Sequence, residues 1–116
     1  MVSLPPLTKA SRVVILFQKD CSACTAQIHD LGCLKSDVEV VLVGLGPNEN
    51  DLRKEYRKFN SPHIGLLGDR EFIKSFKITS PITPQVIITK NNRKEHLLGL
   101  NSCSAIDKKL AKVDKL

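Results

Sequence analysis

Between Arg12 and Phe17 the chain reads RVVILF, a run that is wholly apolar after its arginine and rich in β-branched side chains. It is too short for a buried helix and has the character of a strand covered on both faces. Val38–Gly44, VEVVLVG, is a second run of the same kind. Strands written this way belong to parallel sheets, which need helices on both sides. The rest of the sequence supplies those helices.

Cys24, Ile28 and Leu31 fall at i, i+4 and i+7, one helical stripe, with Gly32 as its expected stop. A second helix is expected over Asn50–Phe59, capped by Asn48 or Asn50, with Leu52, Tyr56 and Phe59 on its apolar face. Asn60-Ser61-Pro62 ends it, and Ile64–Leu67 is short enough to be a third strand. Asp69 can cap a brief helix carrying Phe72, Ile73 and Phe76, which TSPITP must break. Gln85–Thr89 and His96–Leu100 flank KNNRK, a hairpin signal with its turn at Asn91-Asn92. Asn101 or Ser102 then caps a last helix with Ile106, Leu110 and Val113 on one face. Residues 1–11 are expected to be irregular or a short edge strand. The order β-α-β-α-β-α-β-β-α predicts a single α/β domain over residues 1–116. Its central sheet is mixed and mainly parallel, with a C-terminal antiparallel hairpin and helices on both faces.

Two Cys residues stand where the first strand hands over to the first helix, in Asp20-Cys21-Ser22-Ala23-Cys24. The first turn of a helix carries unpaired N–H groups and a partial positive charge. A thiolate there is stabilised, so Cys21 should be more acidic than a free thiol at about 8.5. Cys24, one turn on and on the apolar stripe, should face inward. That makes Cys21 the exposed attacker and Cys24 the sheltered resolver of a redox pair. A CxxC is also half of a zinc site, but no second CxxC or CxxH completes it, so no metal is assigned. On a regular helix Cys33 would lie about 13 Å from Cys24, too far to bond it. Cys33 and Cys103 are expected to be buried small hydrophobes, with a disulfide between them as the lesser alternative. His29 is expected at the surface, and His63 and His96 receive no role.

The net charge of +6 gathers in Arg53, Lys54, Arg57 and Lys58 and in the tail lysines 108, 109, 112 and 115. With no Trp and one Tyr, base-stacking platforms are scarce. Solvated helix faces are therefore the preferred reading over a nucleic-acid footprint. No apolar run approaches the roughly 20 residues that span a bilayer, and MVSLPPLTKAS has no signal-peptide core. The chain is expected to be either cytosolic or a trimmed, exported form.

A strand, a CxxC opening a helix, Thr83-Pro84 at the head of a hairpin, and a terminal helix together resemble the thioredoxin fold over essentially the whole chain. The resemblance implies that Thr83–Pro84 is a cis peptide packed against the CxxC, and that the Thr83 backbone pairs with substrate. LLGDREFIKSFKITSPITPQVIIT is similar to the corresponding region of TlpA-like and peroxiredoxin-related proteins. No Pro-x-x-x-Thr-x-x-Cys motif precedes the helix, which disfavours a peroxiredoxin. TlpA-like relatives are mostly extracytoplasmic thiol–disulfide oxidoreductases, so a periplasmic or other extracytoplasmic location is favoured. Two departures matter. No Trp or Pro flanks the first cysteine, and Ile15 stands where many thioredoxins carry a buried acid. Proton transfer at Cys24 must then use water or another group.

The resemblance thus implies a thiol–disulfide oxidoreductase with catalytic Cys21 and Cys24 and substrate-binding Thr83 and Pro84. It implies no organic cofactor, a protein thiol or disulfide as substrate, and an upstream redox partner. A monomer without nucleic-acid binding is expected. Asp20 opposes a thiolate at Cys21 and Lys19 partly offsets it, which points to a reductant or mid-range exchanger. A copper carrier on the same fold and a non-catalytic binding module are the rival readings.

Overall fold

The computed structural model describes Leu4 and residues 9–114, with side chains described as far as Lys112. Its elements are β1 (Ser11–Phe17), α1 (Ser22–His29), β2 (Val38–Gly44), α2 (Glu49–Phe59), β3 (Ile64–Leu67), α3 (Arg70–Ser75), β4 (Gln85–Lys90), β5 (Arg93–Leu98) and α4 (Cys103–Asp114). The strands form one sheet in the order β3-β2-β1-β4-β5. β1 pairs with β2, and β2 with β3, in parallel; β4 is antiparallel to both β1 and β5. Four strands therefore run one way and β4 alone runs the other, so the sheet is mixed as expected.

β1 is the central strand, and all seven of its residues are buried. Alternation splits it between two cores. Val13, Ile15 and Phe17 face α1, α2 and α4, where they meet Cys24, Ile28, Leu52, Phe59, Ile106 and Leu110. Val14 and Leu16 face the other side, where Phe72 of α3 closes the core. An all-apolar strand is the sequence consequence of having helices on both faces. Phe17 meets Phe59 edge to face with centroids 5.0 Å apart, a favoured geometry for aromatic quadrupoles.

Most element boundaries fall within two residues of expectation, and the differences have local causes. α1 stops at His29 with Asp30 as its cap, before Gly32, because the Asp30 carboxylate is engaged with α4. Leu31 still reaches the core from beyond the helix. Asn48 rather than Asn50 caps α2, its Oδ1 accepting from the Asp51 N–H at 3.2 Å, which moves the start to Glu49. The hairpin turn is tighter than expected. Asn91 and Asn92 both have positive φ (52° and 64°) and Lys90 pairs with Arg93, so β5 begins at Arg93 and ends at Leu98. Paired positive-φ residues match the right-handed twist of the flanking strands. Ser102 caps α4 through its Oγ to the Ala105 N–H. Ile106 and Leu110 are buried on it, and Val113 lies outside the described side chains. Ser11, expected to lie before the first strand, opens β1; residues 1–3 and 5–8 of the expected irregular N-terminus lie outside the described residues.

Candidate functional site

The site forms where β1, α1 and the start of β4 meet. β1 ends at Phe17, and the chain must turn back into α1 within four residues. Asp20 makes that turn with φ +57°, a left-handed conformation that Asp tolerates better than most residues. Cys21 is then the N-cap of α1, and its Sγ accepts the Cys24 N–H at 3.1 Å. This is the position at which a sulfur satisfies one of the helix's orphan donors. Cys24 is fully buried, whereas Cys21 is partly exposed. The two form a disulfide with Cα atoms 5.2 Å apart.

Thr83 and Pro84 arrive from the other side of the sequence. The Thr83–Pro84 peptide is cis. The Cys21 sulfur lies 3.7 Å from the Thr83 carbonyl oxygen and 3.6 Å from Thr83 Oγ1. The Thr83 hydroxyl donates to Gln18 Oε1 at 3.0 Å, which ties the loop to the end of β1. Gln85 holds the same loop from below, its amide donating to the carbonyls of Ser80 and Ile82. All four residues singled out in the sequence thus lie together.

The charges around Cys21 differ from those read along the chain. Lys19 turns away to pair with Asp51 on α2 at 3.3 Å. Lys58 takes its place: with Asp20, Cys21, Ser22, Thr25 and Glu55 it lines a shallow cleft of about 350 Å³. Its ammonium lies 3.1 Å from Glu55 Oε1, and its pKa is raised first by the hydrogen bond to Glu55 and then by that carboxylate's charge, with Asp20 adding to both. Glu55 is the only buried acid among the described residues. It comes from α2, while Ile15 is fully buried in the core. Sequence reading missed both groups. The available signal was a Glu between Leu52 and Phe59 on a helix face otherwise apolar. A larger cavity of about 530 Å³ lies away from the sulfurs, between Gly46, Arg53 and Gly65–Asp69.

The other cysteines correct an expectation. Cys33 is exposed rather than buried, and it is joined to Cys103 in a second disulfide with Cα atoms 6.0 Å apart. The loop after α1 lies against the start of α4, which brings Cys33 to Cys103 across a sequence separation of 70. His29 is exposed as expected, with Nε2 3.0 Å from the Phe59 carbonyl oxygen. Among the described residues no group of three or more His, Cys, Asp or Glu is placed to hold a metal ion. No described helix is long and apolar enough to cross a membrane.

A parallel β1–β2–β3 unit, an antiparallel β4–β5 hairpin and a disulfide at the N-terminus of α1 opposite a cis-proline define the architecture. The chain has the thioredoxin fold. A thioredoxin-related protein from Neisseria meningitidis serogroup B superposes with a TM-score of 0.78 at 14% identity, covering 100% of this chain and 93% of that one. A secreted Mycobacterium tuberculosis disulfide oxidoreductase, homologous to E. coli DsbE, gives 0.67 at 15% identity over 95% of this chain and 84% of its own. StoA from Bacillus subtilis gives 0.69 at 12% identity, with 87% and 83% covered. No family model matches this chain, and neither does any curated protein sequence.

Proposed function

We propose that this thioredoxin-fold chain is a thiol–disulfide oxidoreductase acting on protein partners. The observation that carries the reading is the Cys21 sulfur: it caps α1, bonds the buried Cys24, and lies beside the Thr83 backbone. In the reduced protein the Cys21 thiolate, held by the Cys24 N–H and the helix start, attacks one sulfur of a partner disulfide. The partner's other sulfur leaves as a thiolate and takes a proton from solvent. Cys24 then loses its proton and attacks Cys21, which forms the intramolecular disulfide and releases the second partner sulfur. Two electrons pass from the dithiol to the partner, and an upstream dithiol donor resets the pair. The Thr83 carbonyl, beside the Cys21 sulfur, is the group that orients the substrate backbone, with Pro84 shaping the floor.

The charge balance supports a reductant or mid-range exchanger. The α1 start and Lys58 favour the Cys21 thiolate, while Asp20 and Glu55 oppose it. Lys58 is already committed to Glu55, so little net positive potential remains. The second disulfide supports an extracytoplasmic site of action, since disulfides persist in oxidising compartments.

Insulin reduction with the full chain tests the activity. Cys21→Ser should abolish it, whereas Cys24→Ser should accumulate mixed disulfides at Cys21. Native alkylation of the reduced protein should label Cys21 well before Cys24. An inactive wild type, or first labelling at Cys24, would remove this assignment. Equilibration with a glutathione buffer tests direction: a couple as oxidising as about −120 mV would place the chain with the strong oxidants instead.

A further inference from the structure

We propose that Cys33–Cys103 is a second thiol-exchange site, at which an external thiolate attacks the Cys33 sulfur and Cys103 leaves as a thiolate held at the start of α4. This inference is independent of the roles given to Cys21 and Cys24.

The two ends of the bridge are unequal. Cys33 sits in the exposed loop between α1 and β2. Cys103 is 4% exposed and is the first residue of the 12-residue helix α4. Exchange requires access to the sulfur being attacked and proceeds faster when the departing thiol is the more acidic one. Access selects Cys33 in the folded protein. Acidity selects Cys103 as the leaving group. Its Sγ lies in the first turn of α4, where the helix presents partial positive charge. It already accepts the Cys33 N–H at 3.2 Å, and that hydrogen bond strengthens once the sulfur is anionic. Asp30 acts against this, because its Oδ2 accepts the Cys103 N–H at 3.1 Å and carries negative charge. Asp30 is exposed, however, so solvent and salt screen its field more than they screen the donors around the buried sulfur.

The surroundings keep the opened bridge in register. Gln27 of α1 is fully buried and makes two 2.8 Å bonds to the Asn101 backbone, one from its amide to the carbonyl and one from the N–H to its oxygen. These bonds hold the end of α1 against the start of α4 without help from the sulfurs. The step balances as one displacement. The thiolate forms a bond to Cys33 Sγ, the Cys33–Cys103 bond breaks, and its electron pair stays on Cys103. A second external thiol then displaces Cys33, leaving two protein thiols and one oxidised external disulfide.

The test uses the full-length Cys21→Ser/Cys24→Ser variant, treated with excess glutathione, acid-quenched and mapped for mixed disulfides. Should that variant fail to fold, wild-type protein serves. Cleavage before Asp residues puts Cys21 and Cys24 in one peptide and Cys33 in the next. Expected are adducts at Cys33 exceeding those at Cys103 by at least about tenfold, and a rate first order in thiolate. The rate should not change with urea below the unfolding transition. Adducts mainly at Cys103 would overturn the proposal. So would a bridge that opens only in proportion to global unfolding, which is the behaviour of a purely structural staple. Insulin reduction by the wild-type protein, measured alongside, separates this failure from a failure of the Cys21–Cys24 reading.

Discussion

Replacing both Cys33 and Cys103 by Ser should destabilise the chain by about 4 kcal/mol at 25 °C. The bridge spans a sequence separation of 70, and closing a loop of that length removes roughly 15 cal/mol/K from the denatured ensemble. The native side of the balance changes little. Position 33 lies in an exposed loop, and a serine hydroxyl introduced at position 103 can still accept the N–H of residue 33. For a domain of this size each kcal/mol moves the midpoint by about 3–6 °C, so the melting temperature should fall by about 12–24 °C. Urea titration of the oxidised wild type and the double variant, with Cys21–Cys24 closed in both, measures the difference. Part of it can surface as a larger m-value, because the uncrosslinked denatured chain exposes more surface. A loss below about 1 kcal/mol would refute the loop-entropy reasoning and imply that the reduced denatured chain keeps these segments together. By linkage, the same free energy lowers the couple's potential by about 90 mV relative to the unfolded chain. Equilibrium therefore favours the closed bridge even where exposed Cys33 makes exchange fast.

Three further outcomes are expected. Gly65→Ala should cost about 1–3 kcal/mol in a urea titration, because an added Cβ would meet the Tyr56 ring while that ring is fixed by its hydroxyl to the His63 carbonyl at 2.7 Å; an unchanged midpoint would mean that the ring moves freely. Gln27→Leu should cost about 2–4 kcal/mol, since it strands both the N–H and the carbonyl of Asn101, and a neutral result would show that water enters there. Stability should decline on acidification: burial and then Lys9 lower the pKa of His63, and burial and then Lys94 lower that of His96. The folded protein then binds fewer protons than the unfolded one, so this contribution is complete above the ordinary value of 6.5 and is lost as pH falls below it. Urea midpoints at about pH 7.5 and about pH 5.5 should therefore converge partly in His63→Gln, and an unaltered pH slope would remove His63 from the account.

What the sequence made legible follows from how far each signal reaches along the chain. β1, β2 and the stripes of α1, α2 and α4 are patterns within one element, and burial on two faces writes itself into consecutive residues. Cys21 and Cys24 were equally readable, because strand, turn and helix start are contiguous. Thr83-Pro84 became readable only through the resemblance, since nothing within TSPITP points to a partner about sixty residues away. For the same reason the Cys33–Cys103 bridge could be named only as the lesser alternative, and the Gln27–Asn101 pair lay beyond reach. The first joins residues 70 positions apart and the second residues 74 apart, and the loop that brings them together has no periodicity to follow.

Yet those hidden partners left one kind of trace. Gln27 falls beside Ile28 and one turn after Cys24 in α1, Glu55 lies between Leu52 and Phe59 in α2, and Gln85 heads the buried strand β4. All three are polar residues at positions where the period calls for an apolar one, and all three are buried. A buried polar group without a partner costs more than the net worth of a hydrogen bond. Such a residue is therefore a demand for a partner elsewhere. Gln27 finds the start of α4, Gln85 finds the loop that carries Thr83, and Glu55 finds Lys58 at the cleft beside Cys21. Two of the three demands are met within a few residues of Thr83 or at the cleft beside Cys21, and the third at the helix start that carries Cys103. These three breaks in the hydrophobic period thus lie where the fold holds its cysteines in place, whereas buried Arg12, at the far end of β1, pairs with Glu39 instead.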